Sequence, residues 1–157
     1  MKIIGIIGAG QMGAGIAQVS AQAGYDVLLS DVDITRAEAG KATVAKGLQR
    51  LVDREKIDAA TRDAVLSRIS PIAGSASFAS ADLVIEAATE REDIKRAIFN
   101  DVGKVLREDA ILASNTSSIP ITRMAQASPD PERFIGIHFF NPVPVMGLIE
   151  VIPGLAT

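Results

Sequence analysis

Short apolar runs alternate with amphipathic stretches along most of this chain. The runs at 3–7, 27–29 and 83–85 are each of strand length, and apolar residues between such runs recur at helical spacing, as at Val44, Leu48 and Leu51. Regular alternation of buried strands with amphipathic helices is typical of a parallel sheet with right-handed crossovers. The pattern therefore predicts an α/β domain.

The periodicity predicts most elements directly. Strands are predicted at 3–7, 27–31, 70–73, 83–87, 111–113, 133–140 and 148–152, and helices at 14–24, 33–52, 60–69 and 91–106. The second and third helices would form a helical hairpin inserted after the second strand, with Asp33 as the N-cap of the first. The stretch 75–80 is predicted to be a linker turn. The last two strands would pair in antiparallel orientation around the loop at 141–147.

A glycine-rich turn follows the first predicted strand and opens the first predicted helix. Gly8 permits the sharp turn, Gly10 lets the backbone approach a pyrophosphate, and Gly13 allows the helix to lie close to the sheet. Unpaired N–H groups and the partial positive charge of the helix N-terminus favour an anion there. We therefore predict that the turn residues, including Gln11 and Met12, contact a dinucleotide.

Asp31 lies at the end of the second predicted strand, 18 residues beyond Gly13. A carboxylate at this place can accept hydrogen bonds from ribose hydroxyls and repels a 2′-phosphate, so NAD is expected rather than NADP. Strand, glycine turn, helix and acid together predict a Rossmann-type, doubly wound, mostly parallel sheet with a dinucleotide site. The alternative is a glycine-rich turn in some other α/β protein.

Composition excludes several other classes of function. The net charge is −3 and no basic cluster is interleaved with aromatic residues, which argues against nucleic acid as a partner. The absence of cysteine and the single histidine exclude disulfides, thiol chemistry and multi-histidine metal sites, so no metal is predicted. The apolar runs are too short for a membrane span, and Lys2 is followed at once by a strand rather than a signal sequence. A cytoplasmic protein without a membrane partner is expected.

Three basic residues recur at four-residue spacing along the second predicted helix and just past its end. Lys46, Arg50 and Arg54 would lie along one helical face. This face is either solvated and balanced by Asp53 and Glu55, or it binds the phosphates of a large acidic substrate.

The sole histidine, His138, lies in the sixth predicted strand. If the last two strands form a hairpin centred on Pro144, then His138 faces Glu150 across it. A carboxylate beside one imidazole nitrogen fixes the tautomer and makes the other nitrogen a competent general base. The alternative is a histidine with a purely structural role.

Four segments together carry a resemblance to a known family. They are 8–17 (GAGQMGAGIA), 86–90 (EAATE), 114–118 (SNTSS) and 138–146 (HFFNPVPVM). In this order they resemble the NAD-binding domain of 3-hydroxyacyl-CoA dehydrogenases, including the bacterial 3-hydroxybutyryl-CoA dehydrogenases, over essentially the whole chain. The resemblance implies NAD-dependent oxidation of a 3-hydroxyacyl-CoA to a 3-ketoacyl-CoA by hydride transfer, with an acyl-CoA as the substrate.

The resemblance also implies roles for individual residues. His138 matches the catalytic base, Glu150 the acid that pairs with it, and Ser117 the hydroxyl that contacts the substrate's 3-oxygen. Asp31 matches the adenosine-ribose ligand. Positions lining the nicotinamide half of the site are matched by Glu90, Lys95, Ser117 and Asn141, and the third segment makes Asn115 a further candidate cofactor contact.

The family normally continues beyond this point into an all-helical domain, which supplies a catalytic asparagine and much of the dimer interface. We therefore expect residues 1–157 to be the NAD-binding domain alone, weakly active or inactive by itself. Its C-terminal strands should expose Leu148, Ile152 and Leu155 and favour a homo-oligomer. Two other functions stay open: a different NAD(P)-dependent hydroxyacid or sugar-acid dehydrogenase on the same fold, and a non-catalytic NAD-binding module.

Overall fold

A single seven-stranded sheet organises the molecule, which a computed structural model describes over residues 1–157. The spatial order is β3-β2-β1-β4-β5-β6-β7. The strands are β1 Ile3–Ile7, β2 Asp26–Ser30, β3 Ile69–Ile72, β4 Leu83–Glu86, β5 Ile111–Ser114, β6 Phe134–Phe139 and β7 Ile149–Pro153. Strands β1 to β6 are parallel and β7 runs antiparallel to β6. The predicted Rossmann-type topology is confirmed.

Five helices connect the strands. They are α1 Gln11–Gln22, α2 Ile34–Asp53, α3 Ala59–Ser67, α4 Glu92–Gly103 and α5 Ile121–Ala125. Helices α2 and α3 form the predicted hairpin, and the Asp33 carboxylate caps α2 by accepting a hydrogen bond from the backbone N–H of Arg36 at 2.8 Å. The short helix α5, between β5 and β6, has no counterpart among the predicted elements.

Apolar side chains fill both faces of the sheet, as a doubly wound fold requires. One layer contains Ile6 of β1, Ile16 of α1 and Leu48 of α2, which are all fully buried. Phe99 and Phe134 lie in the other layer, with ring centroids 5.0 Å apart in an edge-to-face arrangement. Helices thus cover the two faces, and the carboxyl ends of the parallel strands stay open to ligands.

The segment at 75–80, predicted as a linker turn, is part of the core. Ala76–Ser80 forms a 3₁₀ turn, and its Phe78 is buried in the layer that contains Phe99. The ring lies over Gly5, where a Cβ would come within 2.5 Å of it. Gly5 in β1 therefore makes room for an aromatic side chain from a distant segment.

Asp82 lies just before β4, at the amino ends of the strands, and its side chain connects β4 to the start of β1. Its carboxylate accepts hydrogen bonds from the backbone N–H groups of Lys2 and Ile3 and from the Arg107 guanidinium. The backbone donors first, and then Arg107, hold the pKa of Asp82 well below its ordinary value. This ion pair lies at the edge of the sheet opposite the ligand-binding edge.

The buried stripe of α4 agrees in part with the apolar period of the sequence, which runs through Ile94, Ile98, Val102, Val105 and Leu106. Val102 is buried, and Ile98, Val105 and Leu106 pack against the same core layer, but Ile94 is 37% exposed and the stripe also contains the buried Lys95 and Phe99. A lysine therefore occupies the innermost stripe of the helix. Its ammonium group needs a buried partner.

Candidate functional site

The glycine turn between β1 and α1 has a shape that only glycine allows at two positions. Gly8 has φ +101°, and a Cβ there would lie 2.7 Å from the carbonyl oxygen of Ala87. A Cβ at Gly13 would lie 1.6 Å from the carbonyl oxygen of Gly8. Helix α1 therefore begins in direct contact with the turn. The Ile6 side chain of β1 lies 3.6 Å from the same Cβ position, so the helix also lies close to the sheet, as predicted for Gly13.

Gly10, in contrast, faces open space, with nothing within 4 Å of a Cβ built there. It is the N-cap of α1, and neither a side-chain cap nor an acidic residue occupies the first turn. The backbone N–H groups of Gln11 and Met12 in that turn lie ahead of the first intrahelical bonds. This cradle fits a pyrophosphate, which needs N–H donors, positive helix potential and room for close approach.

Asp31 immediately follows β2 and is held beside the turn. Its Oδ2 accepts a hydrogen bond from the backbone N–H of Ala9 at 2.7 Å, and its Oδ1 accepts one from Val32 at 2.7 Å. Each carboxylate oxygen can accept one more hydrogen bond. A cavity of about 140 Å³ adjoins Asp31, and its apolar lining consists of Ile7, Phe78, Ile98 and Val102. The carboxylate is therefore fixed at the edge of a cavity, where ribose hydroxyls can reach it.

A buried ion pair lies on the other side of the turn, at the ends of β4 and β5. Oε1 of Glu86 accepts hydrogen bonds from the Lys95 ammonium and, at 2.9 Å, from the Ser114 hydroxyl. Oε2 accepts one from the backbone N–H of Ala88 at 2.8 Å. The side chains of Glu86 and Lys95 are 0% and 1% exposed. Lys95 is thus an interior residue rather than a residue of the helix surface, and its contact with a cofactor stays a prediction.

Glu90 connects this buried pair to the loop after β5. One of its oxygens lies 3.8 Å from the Lys95 ammonium, and the other accepts hydrogen bonds from the hydroxyls of Thr116 (3.0 Å) and Ser118 (3.2 Å). Ser117 lies between these two residues and is exposed. The structure therefore brings Glu90, Lys95 and Ser117 to one side of the rim.

Asn115 joins the β5 loop to β6. Its Oδ1 accepts a hydrogen bond from the backbone N–H of Phe139 at 2.8 Å, and its own backbone N–H donates to the Glu86 carbonyl at 2.8 Å. The side chain is almost fully buried. Its side-chain oxygen already accepts one hydrogen bond within the fold, so the amide N–H groups and the second lone pair of this oxygen are left for the predicted cofactor contact.

His138 and Glu150 face each other across the antiparallel pair of β6 and β7, so the predicted register is confirmed. The distance from His138 Nδ1 to Glu150 Oε2 is 3.2 Å. With a proton on Nδ1 the ring donates to the carboxylate, and Nε2 is left as an acceptor. The Phe140 ring lies against the imidazole with centroids 4.5 Å apart. The histidine is 19% exposed and the glutamate 50%, so substrate can reach the pair.

The loop after β6 borders a second cavity, of about 230 Å³, against α1 and α2. Three elements line this cavity: the loop after β6 with Asn141, α1 with Gln11, and α2 with Lys46 and Arg50. Arg54 is outside this lining. No carboxylate lies within 4.0 Å of the basic groups of Lys46, Arg50 or Arg54, so the expected balancing by Asp53 and Glu55 does not take the form of ion pairs.

Glu86 received no role from the sequence motifs, although two signals mark it. It ends a strand that is otherwise entirely apolar, and Lys95 shares the spacing of the buried Phe99 and Val102 on α4. A lysine on a buried stripe requires a buried acceptor, and the carboxylate at the end of the neighbouring strand is within reach.

A family model described as "3-hydroxyacyl-CoA dehydrogenase, NAD binding domain" matches residues 3–157. The chain belongs to this family. Its cofactor is NAD, and the glycine turn and Asp31 fit that cofactor. No helix of the chain is both long and apolar enough to span a membrane.

Relatives agree with this assignment along the whole chain. It is 51% identical to 3-hydroxybutyryl-CoA dehydrogenase of Bradyrhizobium diazoefficiens over 157 residues, which are 100% of this chain and 54% of that protein. It is 45% identical to 3-hydroxyadipyl-CoA dehydrogenase of Escherichia coli over 160 residues, covering 33% of that protein. The crystal structure of (S)-3-hydroxybutyryl-CoA dehydrogenase from Ralstonia eutropha superposes with a TM-score of 0.98 at 45% identity, covering all of this chain and 56% of that one. The chain thus spans about half the length of the 3-hydroxybutyryl-CoA dehydrogenases that it matches.

Proposed function

We propose that this chain supplies the NAD site and the general base of a 3-hydroxyacyl-CoA dehydrogenase, with a 3-hydroxybutyryl-CoA-like substrate. The observation that carries the proposal is the pairing of His138 Nδ1 with Glu150 Oε2 at 3.2 Å, at the same edge of the sheet as the glycine turn. The names of the relatives support the substrate class. The E. coli relative, named for another acyl-CoA, leaves the acyl group open.

The chemistry assigned to these residues is a proton transfer coupled to oxidation. His138 Nε2 takes the proton from the 3-hydroxyl of the substrate, and Glu150 stabilises the imidazolium that forms. Ser117 donates a hydrogen bond to the same oxygen as its charge develops. NAD, when bound, supplies the acceptor for the hydride that leaves carbon 3. In the reverse direction, the imidazolium returns its proton to the reduced oxygen.

Cofactor preference follows from the fixed carboxylate of Asp31. A 2′-phosphate would lie beside the Asp31 carboxylate, which accepts hydrogen bonds from two backbone N–H groups. These bonds hinder rotation of the carboxylate away from the phosphate. We expect NADH to bind at least about tenfold more tightly than NADPH, a difference of about 1.4 kcal/mol. The chain contains no tryptophan, so NADH fluorescence measures binding cleanly.

The matched variant for this experiment is Asp31→Asn, which keeps the side-chain shape and removes the charge. This variant should reduce the difference in affinity between NADH and NADPH, mainly by improving NADPH binding. Equal affinities in the unmodified chain would contradict the assignment of Asp31.

The cavity bordered by Lys46 and Arg50 is proposed to receive part of the acyl-CoA. Unpaired basic side chains beside a cavity attract phosphate groups. Asn141, which lines the same cavity, follows His138 by only three residues. This favours the substrate-binding interpretation of the basic face over a merely solvated one.

Turnover is proposed to need a further region of polypeptide such as the relatives have, because the named relatives are about twice as long as this chain. The decisive preparation is a chimera in which residues 1–157 replace the matching part of the Bradyrhizobium relative. Reduction of acetoacetyl-CoA by NADH in the chimera would support the function. NADH binding without turnover in the chimera would favour a non-catalytic NAD-binding module, and turnover of another hydroxyacid alone would favour a different dehydrogenase.

A further inference from the structure

We infer that Glu86 is a positioning residue for the nicotinamide half of the cofactor site, acting through Lys95 and Glu90. The inference rests on the proposed NAD site. It concerns a buried carboxylate that the proton-transfer chemistry of His138 and Glu150 does not use.

The sheet order places this network beneath one half of a bound dinucleotide. The glycine turn at the end of β1 receives the pyrophosphate, and Asp31 at the end of β2 marks the adenosine side. Strands β4 and β5 lie on the other side of β1. The remaining half of the dinucleotide therefore extends over the ends of β4 and β5, which are Glu86 and Ser114.

Burial makes stability alone a poor account of the ion pair. Both charged groups are withdrawn from water, and the desolvation of such a pair commonly equals or exceeds its electrostatic gain. Apolar residues of similar size would fill the site with less cost. A role in holding charged groups in place is therefore the better account of this pair.

The contacts of the pair show what is held. Glu86 fixes the Lys95 ammonium, the Ser114 hydroxyl and the backbone N–H of Ala88, so it joins β4, β5 and α4 at one point. The ammonium in turn lies 3.8 Å from an oxygen of Glu90, whose side chain is about half exposed at the rim.

Glu90 extends the network to the loop that carries Ser117. Its other oxygen accepts hydrogen bonds from the Thr116 and Ser118 hydroxyls, on either side of Ser117. A continuous chain of contacts therefore runs from the buried Glu86 carboxylate to the loop bearing the hydroxyl assigned to the substrate oxygen. Loss of the ammonium would leave Glu90 tied only to the loop and no longer to α4.

The test is a double variant, Glu86→Gln with Lys95→Met, in which both buried charges are removed together. The glutamine can still accept from Ser114, and the methionine fills the volume of the lysine stem. This variant avoids the buried unpaired charge that either single change would create. Melting temperature, NADH affinity and ADP-ribose affinity are measured on it, because ADP-ribose lacks the nicotinamide.

We expect the double variant to bind ADP-ribose like the unmodified chain and NADH about tenfold more weakly, within the range of coupling seen in connected networks. Adding Glu90→Gln should weaken NADH binding in the unmodified background but have little further effect in the double variant. The matched control is Asp82→Asn, which breaks an ion pair at the opposite edge of the sheet. It should lower the melting temperature and leave the ratio of the two affinities unchanged.

Equal losses for NADH and ADP-ribose, or no loss of either, would show that the pair serves folding alone and would overturn the inference. Additive effects of Glu90→Gln in the two backgrounds would overturn it as well. Failure of the unmodified chain to bind NADH is a separate result, which would overturn the proposed cofactor site and the inference with it.

Discussion

Replacement of Gly13 by alanine tests the close contact between α1 and the glycine turn. The new Cβ would lie 1.6 Å from the Gly8 carbonyl oxygen, whereas ordinary contacts begin at 3.4 Å. Helix α1 would have to move away by about 1.8 Å, the difference between these distances. Ile16 and Ala17 of α1 are fully buried in the core, so such a movement disrupts packing.

The expected magnitude follows from two opposing effects. Alanine is favoured over glycine inside a helix by about 1 kcal/mol, whereas overpacking costs about 1–3 kcal/mol and more when backbone must move. Because the clash is with a backbone atom rather than a flexible side chain, the overpacking term should dominate. We expect a net loss of about 2 kcal/mol or more, which lowers the melting temperature by about 4–8 °C.

The assay is thermal unfolding followed by circular dichroism, together with NADH titration by fluorescence. Gly10→Ala is the matched control, since its Cβ enters open space at φ −70°. It should keep the melting temperature and lose NADH affinity by about tenfold or more, equal to about 1.4 kcal/mol. An unchanged melting temperature for Gly13→Ala, or undiminished NADH binding by Gly10→Ala, would refute the account of the turn.

Two further predictions concern the surfaces of the chain. Leu148, Ile152 and Leu155 are exposed, so we expect concentration-dependent self-association in sedimentation, and a strictly monomeric profile at high concentration would contradict it. In the chimera, Arg50→Ala should raise the KM for acetoacetyl-CoA with little change in kcat, whereas Arg54→Ala, outside the cavity lining, should have a smaller effect; equal effects would count against a phosphate site at the cavity.

The strands, their direction and the register of β6 with β7 could be predicted from the sequence because these features depend on local patterns. Apolar runs identify the buried parallel strands, and equal distances from Pro144 placed His138 opposite Glu150. The need for glycine at Gly8 and Gly13 was predicted correctly because the turn geometry restricts both positions to that residue type.

What the sequence did not predict depends on contacts between distant segments. The burial of Lys95 was not predicted because hydropathy treats a lysine as exposed, and this burial depends on Glu86 and Ser114 at the ends of neighbouring strands. Phe78 is buried because Gly5 leaves space for its ring. Helix α5 spans five residues, too few for a helical period to be distinguished from a loop.

The most direct test of the central claim is the mutant cycle of His138 and Glu150 in the chimera, measured as kcat for acetoacetyl-CoA reduction. Glu150→Gln keeps the hydrogen-bonding shape but loses the charge that stabilises the imidazolium, so kcat should fall by about 10²–10⁴. His138→Ala should cost a similar or larger factor, and the double variant should be little worse than the worse single one, because the two residues act as a unit. NADH affinity should stay unchanged throughout. Strictly additive losses, or full activity in Glu150→Gln, would contradict the account of a paired general base.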